Sequence, residues 1–410
     1  MDRDPRSALT ILAITWLGLA TAPAADWTRF RGPNGSGIAP KDVPVQVSTS
    51  NNLLWKVPIP GQGHSSPIIV GNKLFLQSAA TDGSKRMLLC LDATTGKLLW
   101  IREVIGQQAH THKKNTLASS TPASDGERVY CLFWDGTSVS LHAYTLDGQP
   151  VWAAALGSYQ SQHGFGASPV VVGDKVIVNF DQDGAAEVVA FHAKTGEKAW
   201  AVPRKPSRAN PASPLIHELP GGKIEIVVAN TGGLTAYDPA TGKIHWDWDW
   251  ESNKLRTVAS PILVNDTIVV VAGDGGGSRA AAAVQPGATP KVLWAKRKDV
   301  PYVPTPLAKG DHLYWVTDTG FATCADAKTG EVLWSERAFT KAISASPILI
   351  GDTILAIAED GKIISFKADP QGFEKVFEGD LGDAVFASPA AVDGKLFIRS
   401  TENLFCFSKK

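Results

Sequence analysis

Short apolar runs separated by polar turns repeat along most of the chain. Runs such as IIV, VVV and ILV are followed by a Gly-Asn, Gly-Asp or Asn-Asp pair, and then by a second run such as KLFLQ, KVIVNF or TIVVVA. Gly, Asn and Asp tolerate positive φ, so these pairs are typical of tight β-hairpin turns. Each unit therefore predicts a four-stranded antiparallel meander, whose fourth strand follows a Thr-Gly turn and carries a Trp.

A Ser-Pro or Thr-Pro pair marks the start of each unit. Neighbouring prolines of this set are 41 to 55 residues apart. Four strands of about five or six residues, joined by short turns, fit the period of one β-propeller blade. The eight prolines are Pro67, Pro122, Pro169, Pro214, Pro261, Pro306, Pro347 and Pro389.

The last unit lacks its fourth strand. After Pro389 the chain has room for three strands (AAV, KLFIRS and NLFCF), whereas residues 52–57 near the N-terminus resemble a fourth strand without a unit of its own. Pairing these two parts closes a ring and removes two open sheet edges. We therefore predict an all-β, eight-bladed β-propeller of four-stranded antiparallel blades over residues 53–410. In this prediction the N-terminal strand closes the last blade, and residues 25–52 precede the ring as a turn-rich segment or a docking arm.

The repeated tryptophans have a predicted structural role. Each can pack its ring against the neighbouring blade, while the Thr-Gly turn fixes the hairpin that presents it. The seventh blade has Val376 and Phe377 at the corresponding place. The seven residues are Trp55, Trp100, Trp152, Trp200, Trp246, Trp294 and Trp334.

Residues 1–24 have the pattern of a secretory signal peptide. Two arginines precede an apolar run over residues 8–20, and Ala22-Pro23-Ala24 follows as a small-x-small cleavage site. A membrane anchor is the alternative, but it needs about 20 apolar residues. We expect export to the periplasm or beyond, with no transmembrane segment in the mature chain.

Charge and cysteine content exclude some classes of partner and site. Lys plus Arg and Asp plus Glu are balanced at 40 each, so nothing favours nucleic acid or an anionic membrane surface. Cys90, Cys131, Cys324 and Cys406 each lie in an apolar run, which predicts buried free thiols. A disulfide between Cys90 and Cys131 stays open as an alternative in an exported protein.

The predicted strand order places the variable loops on one face. Turns between the second and third strands share this face with the connectors between blades, and variable loops on a rigid scaffold are where function usually lies. A metal site built from three of the connector histidines is an alternative, but no carboxylate is placed beside them; we predict no metal and no catalytic residue. The candidate binding residues are His64, His110, His112, Lys114, Asn115, His163, Arg208 and Arg256.

The Asp-x-x-Thr-Gly-x-x-x-Trp turns at residues 92–100 and 238–246 resemble a known repeat. They are similar to the repeats of dehydrogenases that depend on pyrroloquinoline quinone (PQQ), and to those of non-catalytic relatives such as the propeller lipoprotein of outer-membrane barrel assembly. Residues 27–37, with Lys114, Asn115 and residues 118–122, also resemble exported PQQ-like propellers of planctomycete-type bacteria. The resemblance covers about residues 53–410 and implies the propeller fold.

This sequence lacks several residues that the resemblance to these relatives implies, and these differences determine which function we expect. The resemblance to the enzymes implies PQQ with calcium, a vicinal disulfide and a catalytic Asp, yet this sequence has no adjacent Cys pair and no constellation that maps onto the calcium site. It also lacks the lipidated Cys of the assembly lipoprotein. We expect a monomeric, non-catalytic platform without a cofactor that binds an envelope protein, a peptide or a polysaccharide. A PQQ-dependent alcohol or sugar dehydrogenase is the alternative.

Overall fold

The structure is a computed structural model that describes residues 26–250 and 254–409. The predicted signal peptide lies outside the described residues. Within them the chain forms eight sheets, and one short 3-10 turn lies at Pro33–Gly35. The predicted eight-bladed propeller is confirmed.

The first four blades each contain four consecutive strands, from the channel outward. Blade one has β3 (Ile68–Val70), β4 (Lys73–Ala79), β5 (Lys85–Asp92) and β6 (Leu98–Ile105); blade two has β7 (Ala123–Ser124), β8 (Arg128–Trp134), β9 (Ser138–Thr145) and β10 (Pro150–Ser158). Blade three has β11 (Val170–Val172), β12 (Lys175–Phe180), β13 (Gly184–His192) and β14 (Lys198–Ser207); blade four has β15 (Leu215–Glu218), β16 (Ile224–Asn230), β17 (Gly233–Tyr237) and β18 (Ile244–Asp249).

The other four blades follow the same order. Blade five has β19 (Ile262–Val264), β20 (Thr267–Gly273), β21 (Arg279–Gln285) and β22 (Lys291–Lys296); blade six has β23 (Leu307–Lys309), β24 (His312–Val316), β25 (Phe321–Asp326) and β26 (Val332–Arg337). Blade seven has β27 (Ile348–Ile350), β28 (Thr353–Ile357), β29 (Lys362–Lys367) and β30 (Lys375–Asp380), with β1 (Ile38–Ala39) beside β27. Blade eight has β31 (Ala390–Val392), β32 (Lys395–Arg399), β33 (Asn403–Ser408) and β2 (Leu53–Pro58).

Both ends of the chain build the last blade, as predicted. β2 pairs antiparallel with β33, and Trp55 lies opposite Cys406. Blade seven differs from the prediction because β1 adds a fifth strand, parallel to β27, with Ile38 opposite Leu349. The inner edge of a blade is an unpaired row of backbone groups, and this pairing covers part of it.

The Thr-Gly turns contact the tryptophan of the neighbouring blade at Gly96, Gly196, Gly242 and Gly330. In blade one, Asp92 Oδ1 accepts the backbone N–H groups of Thr94 and Thr95 at 3.0 and 2.8 Å, which fixes the turn before Gly96. In blade three, a Cβ added at Gly196 would lie 2.5 Å from the Trp152 ring of blade two, and the φ of Gly196 is +74°. The tryptophan thus stacks on the turn of the next blade, and only glycine leaves room for it.

A ring of hydroxyl-to-amide hydrogen bonds surrounds the channel. At seven of the eight repeated prolines, the preceding Ser or Thr donates its backbone N–H to the hydroxyl of the equivalent residue in the next blade. Seven such bonds, of 2.9 to 3.1 Å, occur among the described residues. They run from Ser66 to Thr121, Thr121 to Ser168, Ser213 to Ser260, Ser260 to Thr305, Thr305 to Ser346, Ser346 to Ser388, and Ser388 back to Ser66.

The segment of residues 26–39 lies inside the channel. Trp27 pairs with Ile69 of blade one. The Asn34 side chain exchanges two hydrogen bonds with the backbone of Ile216 in blade four, at 2.7 and 3.0 Å. The buried Arg31 donates to the carbonyls of Pro347 and Pro306 at 2.8 and 3.0 Å. The segment therefore satisfies backbone groups on the inner edges of several blades.

The hydrophobic core lies between neighbouring blades. One cluster joins blade one to blade two and contains Phe75, Cys90, Cys131 and Phe133. All four cysteines of the chain are buried and free, and burial raises the pKa of the Cys90 thiol to about 12. These thiols are therefore packing residues rather than reactive groups.

The hydroxyl ring predicts a measurable contribution to stability. In Thr121→Val the buried N–H of Ser66 loses its acceptor, and we expect the free energy of unfolding to fall by about 1–3 kcal/mol in urea titrations. Thr121→Ser keeps the acceptor and serves as the control. Equal stability of the two variants would show that the ring bond contributes nothing.

The channel segment predicts a second effect. Arg31→Met leaves buried carbonyls of two blades without a donor, so we expect a loss of roughly 2–4 kcal/mol in the free energy of unfolding. Arg297→Met changes an exposed arginine and is the matched control in the same urea titration. A loss no larger than that of the control would contradict the bonding described here.

Candidate functional site

The connectors meet at the mouth of the channel and enclose a cavity of about 540 Å³. Its walls carry hydroxyl groups of the Ser/Thr ring, among them those of Ser66, Ser168 and Ser213. Phe30, from the channel segment, contributes to the lining from below. The cavity wall therefore combines these hydroxyl groups with a segment that the ring itself holds.

Six of the eight candidate binding residues line this cavity. His110 and Arg208 are exposed side chains outside the lining. The connector from blade one to blade two contributes half of the six lining residues. The six lining residues are His64, His112, Lys114, Asn115, His163 and Arg256.

Two connectors are joined through His112 and His163. Their ring centroids are 5.0 Å apart, and the backbone N–H of His112 donates to the carbonyl of His163 at 3.1 Å. Asn115 Nδ2 donates to the same carbonyl at 2.7 Å and to that of Phe165 at 3.2 Å. Asn115 is thus a positioning residue that holds the two connectors together.

Arg256 fixes the protonation of His163. Its Nη1 lies 2.5 Å from His163 Nδ1, and because a guanidinium can only donate, Nδ1 is the acceptor. The neutral ring therefore carries its proton on Nε2. Burial, followed by the charge of Arg256, lowers the pKa of His163. Protonation of Nδ1 would also remove the acceptor of this hydrogen bond.

His112 has the same arrangement. Its Nδ1 accepts the backbone N–H of Lys114 at 3.3 Å, so its proton is also on Nε2. Burial and the neighbouring charges of Lys113, Lys114 and Arg256 lower its pKa. Both imidazoles are therefore neutral hydrogen-bond donors at neutral pH.

His64 stacks on Phe386, with ring centroids 4.4 Å apart. Its Nδ1 is 3.3 Å from the carbonyl of Lys114. Burial, with a smaller effect of the Arg399 charge, lowers the pKa of His64 to about 4. It is consequently a weak base at neutral pH.

Two acidic residues beside the cavity, Glu359 and Asp183, are not among the site residues predicted from the sequence. Glu359 accepts from Lys114 at 2.6 Å and from the Ser344 hydroxyl at 2.5 Å, and Asp183 lies 3.7 Å from Arg256. Both acids lie in turns between the second and third strands of a blade. The strand order had already placed these turns on the connector face, so that order was the signal that could have found them.

Arginine and aromatic groups complete the wall beside blades five and six. Arg279 lies over the Tyr302 ring, 5.3 Å from its centroid. Asp318 is 3.7 Å from Arg279 and accepts the backbone N–H groups of Tyr302 and Val303 at 2.7 and 3.1 Å. The acids thus pair with cations or hold loops. Over residues 26–250 and 254–409, no group of three or more His, Cys, Asp or Glu could hold a metal ion.

The repeats of this chain match those of a known protein family. The sequence model described as outer membrane protein assembly factor BamB matches residues 42–158, 117–336 and 281–370. The chain belongs to this family. Among curated relatives, BamB of Burkholderia pseudomallei is 23% identical over 344 residues, which span 75% of this chain and 85% of that protein.

Quinone enzymes are also similar to this BamB-family chain. The dehydrogenase subunit of the quinone alcohol dehydrogenase from Gluconobacter oxydans is 31% identical over 194 residues, which are 43% of this chain and 24% of the enzyme. BamB from Moraxella catarrhalis has a similar structure, with a TM-score of 0.65, 15% identity and coverage of 87% and 97% of the two chains. A europium-containing methanol dehydrogenase has a TM-score of 0.68 at 13% identity, with coverage of 94% and 98%. At such identities the structural likeness establishes the fold alone.

The lowered pKa of His64 predicts that the stability of the protein depends on pH. Its pKa is lower in the folded state than the value of about 6.5 in an unfolded chain, so its contribution to stability is complete above pH 6.5 and is lost as the pH falls toward 4. When the pH falls from 7 to 4.5, the free energy of unfolding should decrease for both the wild type and His64→Gln. We expect the decrease for His64→Gln to be smaller than that of the wild type by on the order of 2 kcal/mol, measured in urea titrations. The exposed His110→Gln should follow the wild type; equal pH dependence in His64→Gln would contradict the assignment.

Proposed function

We propose that this BamB-family propeller is an exported, non-catalytic platform that binds a protein, a peptide or a polysaccharide of the cell envelope through its connector face, and acts as a monomer. The signal-peptide pattern of residues 1–24 supports export, and the relatives named as assembly factors support an envelope partner. Over the described ranges, no helix has the length and apolar character that crossing a bilayer requires.

The observation that carries this proposal is the hydrogen bonding of the cavity histidines. His112 and His163 each use their only lone pair to accept a hydrogen bond, so neither can take a proton without losing that contact. Lys114 is paired with Glu359. The titratable groups are thus held as hydrogen-bond donors and ion pairs, which suits binding better than proton transfer.

The alternative is a PQQ-dependent alcohol or sugar dehydrogenase, which the similarity to the Gluconobacter enzyme favours. The acidic residues in and beside the cavity fit that cofactor poorly. Calcium needs several oxygen ligands in one place, whereas Asp183, Asp318 and Glu359 are each close to a different cation. The four cysteines are buried in or beside strands of the blades and do not line the cavity.

Site-specific photocrosslinking in the cell tests the platform. A photoreactive residue in place of Lys113, which is exposed at the cavity, should give a discrete adduct, because the partner covers this face. The same residue in place of Asp266, in an exposed hairpin at the other end of blade five, is the matched control. Sensitivity of the adduct to protease separates a protein partner from a polysaccharide. Equal adducts from both positions, or none from Lys113, would contradict a connector-face platform.

Calorimetric titration with PQQ, with and without calcium, tests the alternative. The platform proposal expects no binding heat with PQQ in either buffer. Calcium-dependent binding at micromolar or tighter affinity would favour the dehydrogenase, and a screen of alcohols and sugars for dye reduction would follow.

A further inference from the structure

Arg256 keeps hydrogen-bond donors that no described residue uses. The residue is 6% exposed, its Nη1 donates to His163, and its Nη2 is 3.7 Å from Asp183, beyond hydrogen-bonding distance. A guanidinium has five N–H donors, and Arg256 lines the cavity. A buried cation with unused donors beside a cavity favours an anionic ligand that accepts a bidentate pair of hydrogen bonds.

The neighbouring histidines add donors without adding charge. The Nε2–H groups of His112 and His163 belong to rings that line the same cavity. Asp183 offsets part of the charge of Arg256. Four cations (Lys113, Lys114, Arg256 and Arg279) and two acids (Asp274 and Asp318) line the cavity, and Asp183 and Glu359 lie beside two of those cations. Because these charges nearly balance, a singly charged carboxylate matches this corner better than a doubly charged phosphate.

The shape of the cavity favours the end of a chain. The segment of residues 26–39 lies in the channel and places Phe30 at the cavity lining, so a ligand cannot thread through the ring as an extended chain. Phe386, Val258 and Val303 offer apolar contacts. The hydroxyl of Ser66 accepts one ring bond and still has an O–H to donate to a carbonyl.

We propose that this cavity binds the C-terminal end of a polypeptide, with Arg256 holding its terminal carboxylate and His112 and His163 donating to it. The last side chain lies against the apolar wall, and backbone carbonyls accept from the hydroxyls. The inference rests on the proposed platform function and names the part of the partner that enters the cavity.

Two bead libraries of random hexapeptides test this inference, one ending in a free carboxylate and one in a carboxamide. The purified protein should enrich binders from the free-acid library alone. For one enriched peptide, calorimetry should give at least tenfold weaker binding for its amide. Arg256→Gln should weaken the free acid by a similar factor, whereas Arg297→Gln, an exposed arginine outside the cavity, should leave it unchanged.

The acid and amide comparison uses the wild-type protein, so the test stands even where Arg256→Gln fails to fold. Equal enrichment from both libraries, or none, overturns the carboxylate assignment; adducts at Lys113 that persist then leave the platform intact. Binding of oligogalacturonate, with no enrichment of peptides, would overturn the peptide proposal and indicate an acidic polysaccharide as the ligand. Calcium-dependent PQQ binding, with neither peptide enrichment nor adducts, overturns the inference and the platform together.

Discussion

The hydrogen bonds between neighbouring Ser and Thr residues around the channel set the geometry on which the rest of the structure depends. Seven of the hydroxyls accept the amide N–H of the preceding blade, and the proline that follows has no N–H of its own to satisfy. The bond from Ser388 to Ser66 at 3.0 Å joins the last blade to the first. That contact requires a complete eighth blade, so the pairing of β2 with β33 and the ring of hydroxyls depend on each other.

Most of the fold could be predicted because its signals are local and repeated. A Gly-Asp pair defines a hairpin, a Thr-Gly turn defines the next, and a constant period counts the blades. The channel segment could not be predicted in this way. Arg29 and Arg31 donate hydrogen bonds to the carbonyls of Pro214, Pro306 and Pro347, at sequence separations of 185 to 316 residues. The local sequence of a Gly-rich stretch does not indicate which distant carbonyls its arginines will contact.

The candidate site was predicted in part for a similar reason. Strand order alone assigned the connector histidines and Arg256 to one face. Their partners depend on which blades lie opposite each other across the ring; Lys114 meets Glu359 although 245 residues separate them. Two exposed candidates, His110 and Arg208, lie outside the cavity because a connector has an outer side as well as an inner one, and sequence does not distinguish the two.

The channel segment links stability to the proposed binding. The inner strands of the eight blades are two to four residues long and begin after Ser-Pro or Thr-Pro. The segment of residues 26–39 occupies the channel, and Arg31 holds this segment to blades six and seven. Phe30 stands next to Arg31 in sequence, so the bonds that satisfy the blade edges also fix where the cavity ends. A substitution in this segment would therefore change both the depth of the cavity and the stability of the ring. Only a residue such as Phe30, which contacts the cavity, allows the effect on binding to be separated from the effect on stability.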